Sequence, residues 1–415
     1  MPQNFIRELV HRFLFRQSRK IKSWLTKRLL MRSDGRIPSQ SHKKDRSDAW
    51  EVYRENTARR EQCPAQALLE NGGLEVWYQP VLDGHSRRVV GIEALARLRD
   101  TEGGILTPER FLPQLSTDET TNLSRMVLIQ ALEDLKKLDA LGWSLWVSFN
   151  VAPESFGSRS ATCLQKVIGA SGVAPQRITL EILEGGEFAE YATALSAMHD
   201  IKALGMRLAL DDVGSAYASL LRLKNLPIDE IKLDQGFVRT LEERPQDLHF
   251  VRTMQELATE LRLDLVVEGV ETPSILDAMI TTGVPYLQGY AISKPLPLAK
   301  LPSFLSNSAP DPGAYPNSLF GFYASVLAHH TAVKRLLLID PSQVNHEVLK
   351  DGRRCRGNDV LHHLGYGEES RLIQLHNHYH RVFGVVASHG TIRHKAWDAV
   401  ESALHELLEA ILGAR

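Results

Sequence analysis

From Leu74 onward, short runs of aliphatic, β-branched and aromatic residues recur at Leu74–Leu82, Val89–Leu98, Leu145–Val151, Ile178–Glu184, Arg207–Val213, Glu230–Asp234, Asp264–Glu271 and Tyr286–Ile292. Most gaps between them hold a stretch with helical spacing, such as Leu123–Leu141, Ala189–Leu204 or His249–Leu261. Strands that alternate with helices predict an α/β fold with a parallel sheet. Eight repeats over roughly 230 residues predict a closed (β/α)8, TIM-like barrel. A doubly wound open sheet uses the same local pattern and is the structural rival.

Polar residues inside these runs say more about function. Val90–Arg97 is apolar except for Glu93 and Arg97, and an ionised carboxylate in such a run needs a cation or metal beside it. At or near the C-terminal ends of successive runs stand Glu93, Asn150, Glu181 with Glu184, Asp211 with Asp212, Lys232 with Asp234, Glu268 with Glu271, and Gln288. In a barrel these ends open onto one face, where active sites are built. Any one of these groups alone is more often a helix cap, a solvated strand end or half of an ion pair. Crowded into one concave site, the carboxylates repel unless cations neutralise them, and hard oxygen donors select Mg²⁺, Mn²⁺ or Ca²⁺. The absence of clustered histidines from these runs argues against a zinc hydrolase.

The rest of the 415-residue chain divides by composition. Net charge is only −1, but residues 1–62 begin with a basic segment carrying Phe5, Leu9, Phe13, Ile21, Trp24 and Leu25 among arginines and lysines. This predicts either a basic amphipathic helix on an acidic membrane surface or a tail, followed by a polar linker at 33–47. Cys63, Cys163 and Cys355 form no disulfide framework, and no run is apolar enough to span a bilayer, so a cytoplasmic, at most membrane-peripheral, protein is expected. Ser306–Pro316 marks a boundary, beyond which lie eleven of the sixteen histidines. The expected parts are the N-terminal helix and linker at 1–62, a barrel at 63–305 and a helical domain at 317–415.

In order and spacing, Tyr78-Gln-Pro80, Glu93-Ala-Leu-Ala-Arg97, Ser148-Phe-Asn150, Leu180-Glu-Ile-Leu-Glu184, Asp211-Asp212 with Gly214, Leu226-Pro-Ile-Asp-Glu-Ile-Lys-Leu-Asp234, Glu268-Gly-Val-Glu271 and Gln288-Gly-Tyr290 with Ser293-Lys-Pro295 resemble the EAL domain, a bacterial cyclic di-GMP phosphodiesterase. The resemblance covers a little over half the chain. It implies hydrolysis of cyclic di-GMP to linear pGpG with two Mg²⁺ or Mn²⁺ ions. Glu93, Asn150, Glu181 and Asp211 would bind one ion, and Asp211, Asp212 and Glu268 would serve the second. Lys232 and Gln288 would act on the attacking water, with Glu93 and Glu268 in the catalytic set. Gln79, Arg97 and Asp234 would bind substrate, a task for which the guanidinium fork of Arg97 suits phosphate. Glu184 and Glu271 would support the loop after Asp212. A homodimer is implied, and no DNA or RNA polymer is expected as partner. Where the family usually reads Phe-Gly-Thr-Gly-Tyr-Ser-Ser, this chain has Val213-Gly-Ser-Ala-Tyr-Ala-Ser219, and Leu183 replaces a common threonine. These departures keep open an EAL-type receptor that binds cyclic di-GMP with little turnover.

Past the boundary, runs at Leu319–Ile339, Glu369–Ser388 and Ile392–Leu412 predict a small helical bundle. His376 and His380, four apart, share one helix face, and Cys355 with His330 (or His329) would complete a tetrahedral zinc site. The pattern resembles the chemoreceptor zinc-binding module CZB, which implies a sensory role. The run Cys355-Arg-Gly-Asn-Asp departs from that module after the cysteine. Histidines on solvated helix faces are the alternative reading.

Overall fold

The computed structural model describes residues 64–157, 160–183, 188, 190–214, 223–308, 316–388 and 394–414. The basic N-terminal segment, its linker, Cys63, Glu184 and the loop from Ser215 to Ser219 lie outside the described residues.

Ten strands are formed: β1 (Leu74–Asp83), β2 (Val89–Arg99), β3 (Ile105–Leu106), β4 (Trp146–Val151), β5 (Ile178–Leu183), β6 (Arg207–Val213), β7 (Glu230–Leu233), β8 (Asp264–Val267), β9 (Tyr286–Leu287) and β10 (Leu296–Pro297). Eight of them close into a barrel in the order β1-β9-β8-β7-β6-β5-β4-β2, with β2 returning to β1. From β2 through β4 to β9 every neighbour is parallel. The expectation of an all-parallel sheet fails at β1, which runs antiparallel to both β2 and β9. The cause is local: residues 84–88 are too few for the crossover of a dozen or more that parallel neighbours need. β3 and β10 extend the edges as short antiparallel additions.

The first long helix, α1 (Thr117–Ala140), starts at a capping box in which Glu119 N–H donates to Ser116 Oγ and Ser116 N–H donates to Glu119 Oε2. Leu123, Val127, Leu128, Ala131, Leu132, Leu135 and Leu138 form its buried stripe. Asp134 lies on the same stripe, and its carboxylate accepts from Tyr78 Oη at 2.7 Å, Gln130 Nε2 at 3.0 Å and Lys137 Nζ at 2.7 Å, which offsets the cost of burying it. Helices α2 (Ser160–Ser171), α3 (Tyr191–Ala203), α4 (Leu248–Leu261) and α5 (Pro273–Thr281) cover further strands. With both faces covered, β5 buries Ile178 through Ile182 without interruption and β7 is buried along its length.

The opposite, N-terminal end of the barrel holds a second ionic group. Arg207 on β6 pairs with Glu230 on β7 at 3.3 Å and with Asp264 on β8, while Lys202 pairs with Asp229. Glu230 is 3% exposed, and burial, only partly offset by Arg207, pushes its carboxyl up to about 7. The folded chain therefore holds this proton more tightly than the unfolded chain does. That contribution is complete below the ordinary value of 4.5 and is lost as pH rises through about 7. Glu230→Gln should remove on the order of 2–3 kcal/mol of the stability difference between acidic and alkaline conditions. Urea melts at pH 5 and 8 check this, and equal pH dependence in wild type and variant would contradict it.

Beyond the barrel, α6 (Leu319–Ile339), α7 (His346–Lys350), α8 (Arg356–His363), α9 (Arg371–Ser388) and α10 (His394–Gly413) form a helical bundle. Ser318 caps α6 by accepting from Gly321 N–H at 2.9 Å. This helix packs on α5 of the barrel, where Asp277 accepts from Asn317 N–H at 2.9 and 3.0 Å and from Ser318 Oγ at 2.5 Å. A β-carbon at Gly321 would lie 2.0 Å from Asp277 Oδ2, so only glycine permits this approach. Residues 63–415 make one compact unit.

Candidate metal centre at the barrel mouth

The carboxylates converge on one lysine. Lys232, on β7 and 2% exposed, places Nζ 2.7 Å from Glu268 Oε1, 3.0 Å from Glu181 Oε1, 3.4 Å from Glu93 Oε2 and 3.6 Å from Asp211 Oδ1. The side-chain period of two explains the convergence, because Glu181, Asp211 and Lys232 take inward positions towards the C-terminal ends of their strands and Glu93 takes one in the middle of β2. Glu93, 6% exposed, accepts from Asn150 Nδ2 at 2.9 Å through Oε1 and from Gln288 Nε2 at 2.6 Å through Oε2. Ligand oxygens of Asp211, Asp212 and Glu268 lie within 4.8 Å of one another.

Four carboxylates thus face a single ammonium. Burial opposes ionisation of Glu93, yet the Lys232 ammonium and the Gln288 amide hold its carboxyl below the usual range. Burial, reinforced by the Glu93 charge, pushes Glu181 well up. Burial also raises Asp211, and it raises Glu268 to about 8, in both cases against the pull of Lys232. Lys232 is pushed well above the usual lysine range because its carboxylate neighbours outweigh its own burial. Glu181 Oε2 and Gln288 Oε1 are buried without a well-formed hydrogen bond. A buried, under-neutralised set of hard oxygens with orphaned acceptors fits divalent cations of the Mg²⁺ or Mn²⁺ type.

Backbone geometry shapes the rim. Asp212 adopts φ 57°, a left-handed conformation that aspartate tolerates better than most residues, and Gly214 has φ 101°. A β-carbon at Gly214 would stand 2.6 Å from Phe237 Cε2, so both space and φ require glycine there.

The remaining expected site residues have these positions. Gln79 lies opposite Glu93 in the β1–β2 register, and its Nε2 donates to Ser293 O at 3.4 Å. Arg97 is 9% exposed, donates to Ala96 O at 2.7 Å and sets its guanidinium 5.9 Å from the Trp77 ring centroid. Asp234 caps the turn after β7, accepting from Gly236 N–H at 2.8 Å. Glu271 pairs with Arg239 at 2.6 Å. Ser148, buried beside Glu181, stands inside a matched motif, and Trp77, under Arg97, directly before one, but both are read from sequence only as strand residues.

A second cluster forms in the bundle, where ligand atoms of Cys355, His376 and His380 lie within 4.8 Å of one another. His380 Nδ1 is 2.9 Å from Leu349 O, which fixes the tautomer that leaves Nε2 free as a ligand. Burial, reinforced by neighbouring imidazoles, pushes His376 down to about 3 and His329 to about 4, and burial also lowers His380. All three are therefore neutral, as metal ligands must be. His330, expected as the third imidazole, points elsewhere: its Nδ1 lies 3.2 Å from Tyr379 Oη and its Nε2 3.5 Å from Glu401. His329 instead faces His380, with ring centroids 5.6 Å apart and its buried Nε2 unpartnered. One step along a helix turns a side chain by about 100°, so the two histidines cannot share a direction.

The barrel is similar to known proteins. At 33% identity over 58% of its length, the chain is similar to the cyclic di-GMP phosphodiesterase RocR of Pseudomonas aeruginosa, and at 32% over 57% to the cyclic di-GMP phosphodiesterase NbdA of the same organism. It spans 62% and 31% of the lengths of those relatives. Among solved structures, the PaMucR phosphodiesterase in complex with c-di-GMP superposes with a TM-score of 0.52 at 28% identity, covering 57% of this chain and 97% of that one. The EAL enzyme Bd1971 in its cAMP- and cyclic-di-GMP-bound form shares the fold, with a TM-score of 0.55 at 22% identity over 72% of this chain and 76% of that one. Residues 62–295 match the EAL domain model, and the chain belongs to the EAL-domain family.

Proposed function

We propose that this chain hydrolyses cyclic di-GMP to linear pGpG with two Mg²⁺ or Mn²⁺ ions, under control of its C-terminal bundle. The observation that carries this reading is the single Lys232 ammonium ringed by Glu93, Glu181, Asp211 and Glu268 in an EAL-domain barrel. Glu93, Asn150, Glu181 and Asp211 would hold one ion, and Asp211, Asp212 and Glu268 the other. When bound, the ions neutralise the mouth, activate water and stabilise the leaving oxygen during in-line displacement at phosphorus. Lys232, as an ammonium, donates to and orients the attacking water, and a carboxylate beside it such as Glu268 takes up the proton. Gln288 and Asn150 fix both oxygens of Glu93, and Arg97 receives a phosphate oxygen of the substrate. Gln79 and Asp234 border the bound nucleotide.

The second reading, a receptor that binds cyclic di-GMP without turning it over, is favoured by the altered run Val213–Ser219 and by Leu183, which stands 43% exposed where the family commonly carries threonine. Chromatography of reaction products with Mg²⁺ or Mn²⁺, beside Glu93→Ala, separates the two. Release of pGpG by wild type alone supports the enzyme, and intact bound nucleotide supports the receptor.

The proposal extends to zinc in the bundle, held by Cys355, His376, His380 and His329. It includes homodimer formation and peripheral membrane contact through the basic N-terminus, read by light scattering and by sedimentation with anionic vesicles. No described helix is long and apolar enough to cross a membrane.

A further inference from the structure

We propose that Arg252 and Phe237 are positioning residues, through which the bundle sets the end of β6, which carries Asp211 and Asp212, and the loop after β8, which carries Glu268. The inference rests on the metal-dependent reading of the barrel mouth. It begins at the contact between α6 and α4, where Arg252 Nη1 donates to Thr331 Oγ1 at 2.8 Å and to Leu327 O at 3.2 Å. Thr331 follows His329 and His330 directly, so this contact grips α6 at the level of the histidine cluster. Two residues before Arg252, Phe250 stacks on Phe237 with centroids 4.2 Å apart and planes 7° from parallel.

Phe237 closes the turn after β7, and its ring edge rests on Gly214 with no room for even a β-carbon. The same turn touches the loop after β8. A β-carbon at Gly269 would lie 2.6 Å from Gln235 Cβ, and Arg239 is paired with Glu271 at 2.6 Å. Residues 235–239 are therefore wedged between Gly214, directly after β6, and the loop after β8 at Gly269 and Glu271. Close-packed contacts have no slack to absorb displacement, so a shift of α4 is passed to both. The other end of α6 is pinned, because Asp277 clamps Asn317 and Ser318 and Gly321 is in contact with it. Rearrangement within the bundle then acts on the barrel at Arg252.

The test uses the full chain as wild type, Arg252→Ala, Phe237→Leu and the double variant. Mn²⁺ binding is followed by electron paramagnetic resonance, and kcat and KM for cyclic di-GMP are measured alongside. Each single change should weaken Mn²⁺ binding about three- to tenfold and lower kcat by a similar factor, while KM moves less than about twofold. The double variant should be no worse than the more affected single, because both residues lie on one path. Arg252→Lys, which keeps a donor, should recover at least half of the effect. Should Phe237→Leu fail to fold, Phe250→Leu takes its place in the cycle. Unchanged Mn²⁺ affinity, or losses that simply multiply, would overturn the proposal. If wild type does not hydrolyse cyclic di-GMP, the phosphodiesterase reading fails, and the Mn²⁺ cycle still decides this one.

Discussion

Lys232→Met should abolish hydrolysis, by about a thousandfold or more, and should also destabilise the metal-free chain. Methionine approximates the unbranched apolar stem of lysine and removes the ammonium, with its charge and its donors. A thousandfold loss corresponds to about 4 kcal/mol of transition-state stabilisation. The structural effect arises from the carboxylates left behind: Glu181 is fully buried, Glu93 nearly so, and their one ammonium is gone. Removing one partner from a buried ion pair costs about 3–5 kcal/mol, because the remaining charge is uncompensated. The carboxylates then gain protons, so the variant should lose stability relative to wild type as pH rises. Added Mg²⁺ should restore much of the melting temperature without restoring hydrolysis. Melts followed by circular dichroism with and without Mg²⁺, beside product chromatography, check both halves. A variant that keeps its melting temperature and turnover would show that Lys232 only fills space.

Substitutions in the bundle should separate two adjacent histidines. Wild type should carry about one zinc per chain, a closed tetrahedral site of the structural kind. His376→Ala and His329→Ala should each lose it, while His330→Ala should retain it, since His330 is engaged by Tyr379 and Glu401. Zinc binding is folding free energy for the helices it joins, so chelation should lower the melting temperature of wild type and leave His376→Ala unmoved. Metal analysis after dialysis reads the stoichiometry. Zinc absent from wild type would end the proposal for this cluster, and zinc lost from His330→Ala but kept by His329→Ala would reverse the ligand assignment.

The barrel was legible because its chemistry contradicts its local pattern. A carboxylate at Glu93, two at Asp211 and Asp212, and a lysine at position 232 stand in runs that otherwise bury hydrocarbon, and strand periodicity is enough to bring such groups to one mouth. Most strands start where these runs start, but β8 stops at Val267 and β9 holds only Tyr286–Leu287, short of the runs to Glu271 and Ile292; the helix Leu319–Ile339 is bounded by its Ser318 cap and by Asp340, followed by a proline. The antiparallel β1 is legible in connection length rather than in the strand pattern, since residues 84–88 exclude a parallel crossover. The choice between His329 and His330 was not legible at all. Helix α6 is apolar on nearly every side, so its periodicity names no single buried face on which to place either histidine. Nor could the sequence show Asp277 receiving the start of α6, or Arg252 reaching Leu327 and Thr331, because these contacts join residues 40 to 79 positions apart.

The central claim is that the ring of carboxylates around Lys232 runs a metal-dependent hydrolysis. The most direct measurement strips the protein of divalent ions with a chelator, adds excess cyclic di-GMP, then adds Mn²⁺ and counts pGpG formed per chain by ion-exchange chromatography. No product before Mn²⁺ and many equivalents per chain after it, with none from Glu93→Ala at any stage, is the predicted result. Recovery of all the cyclic di-GMP intact from a Mn²⁺-loaded, nucleotide-bound wild type would contradict it.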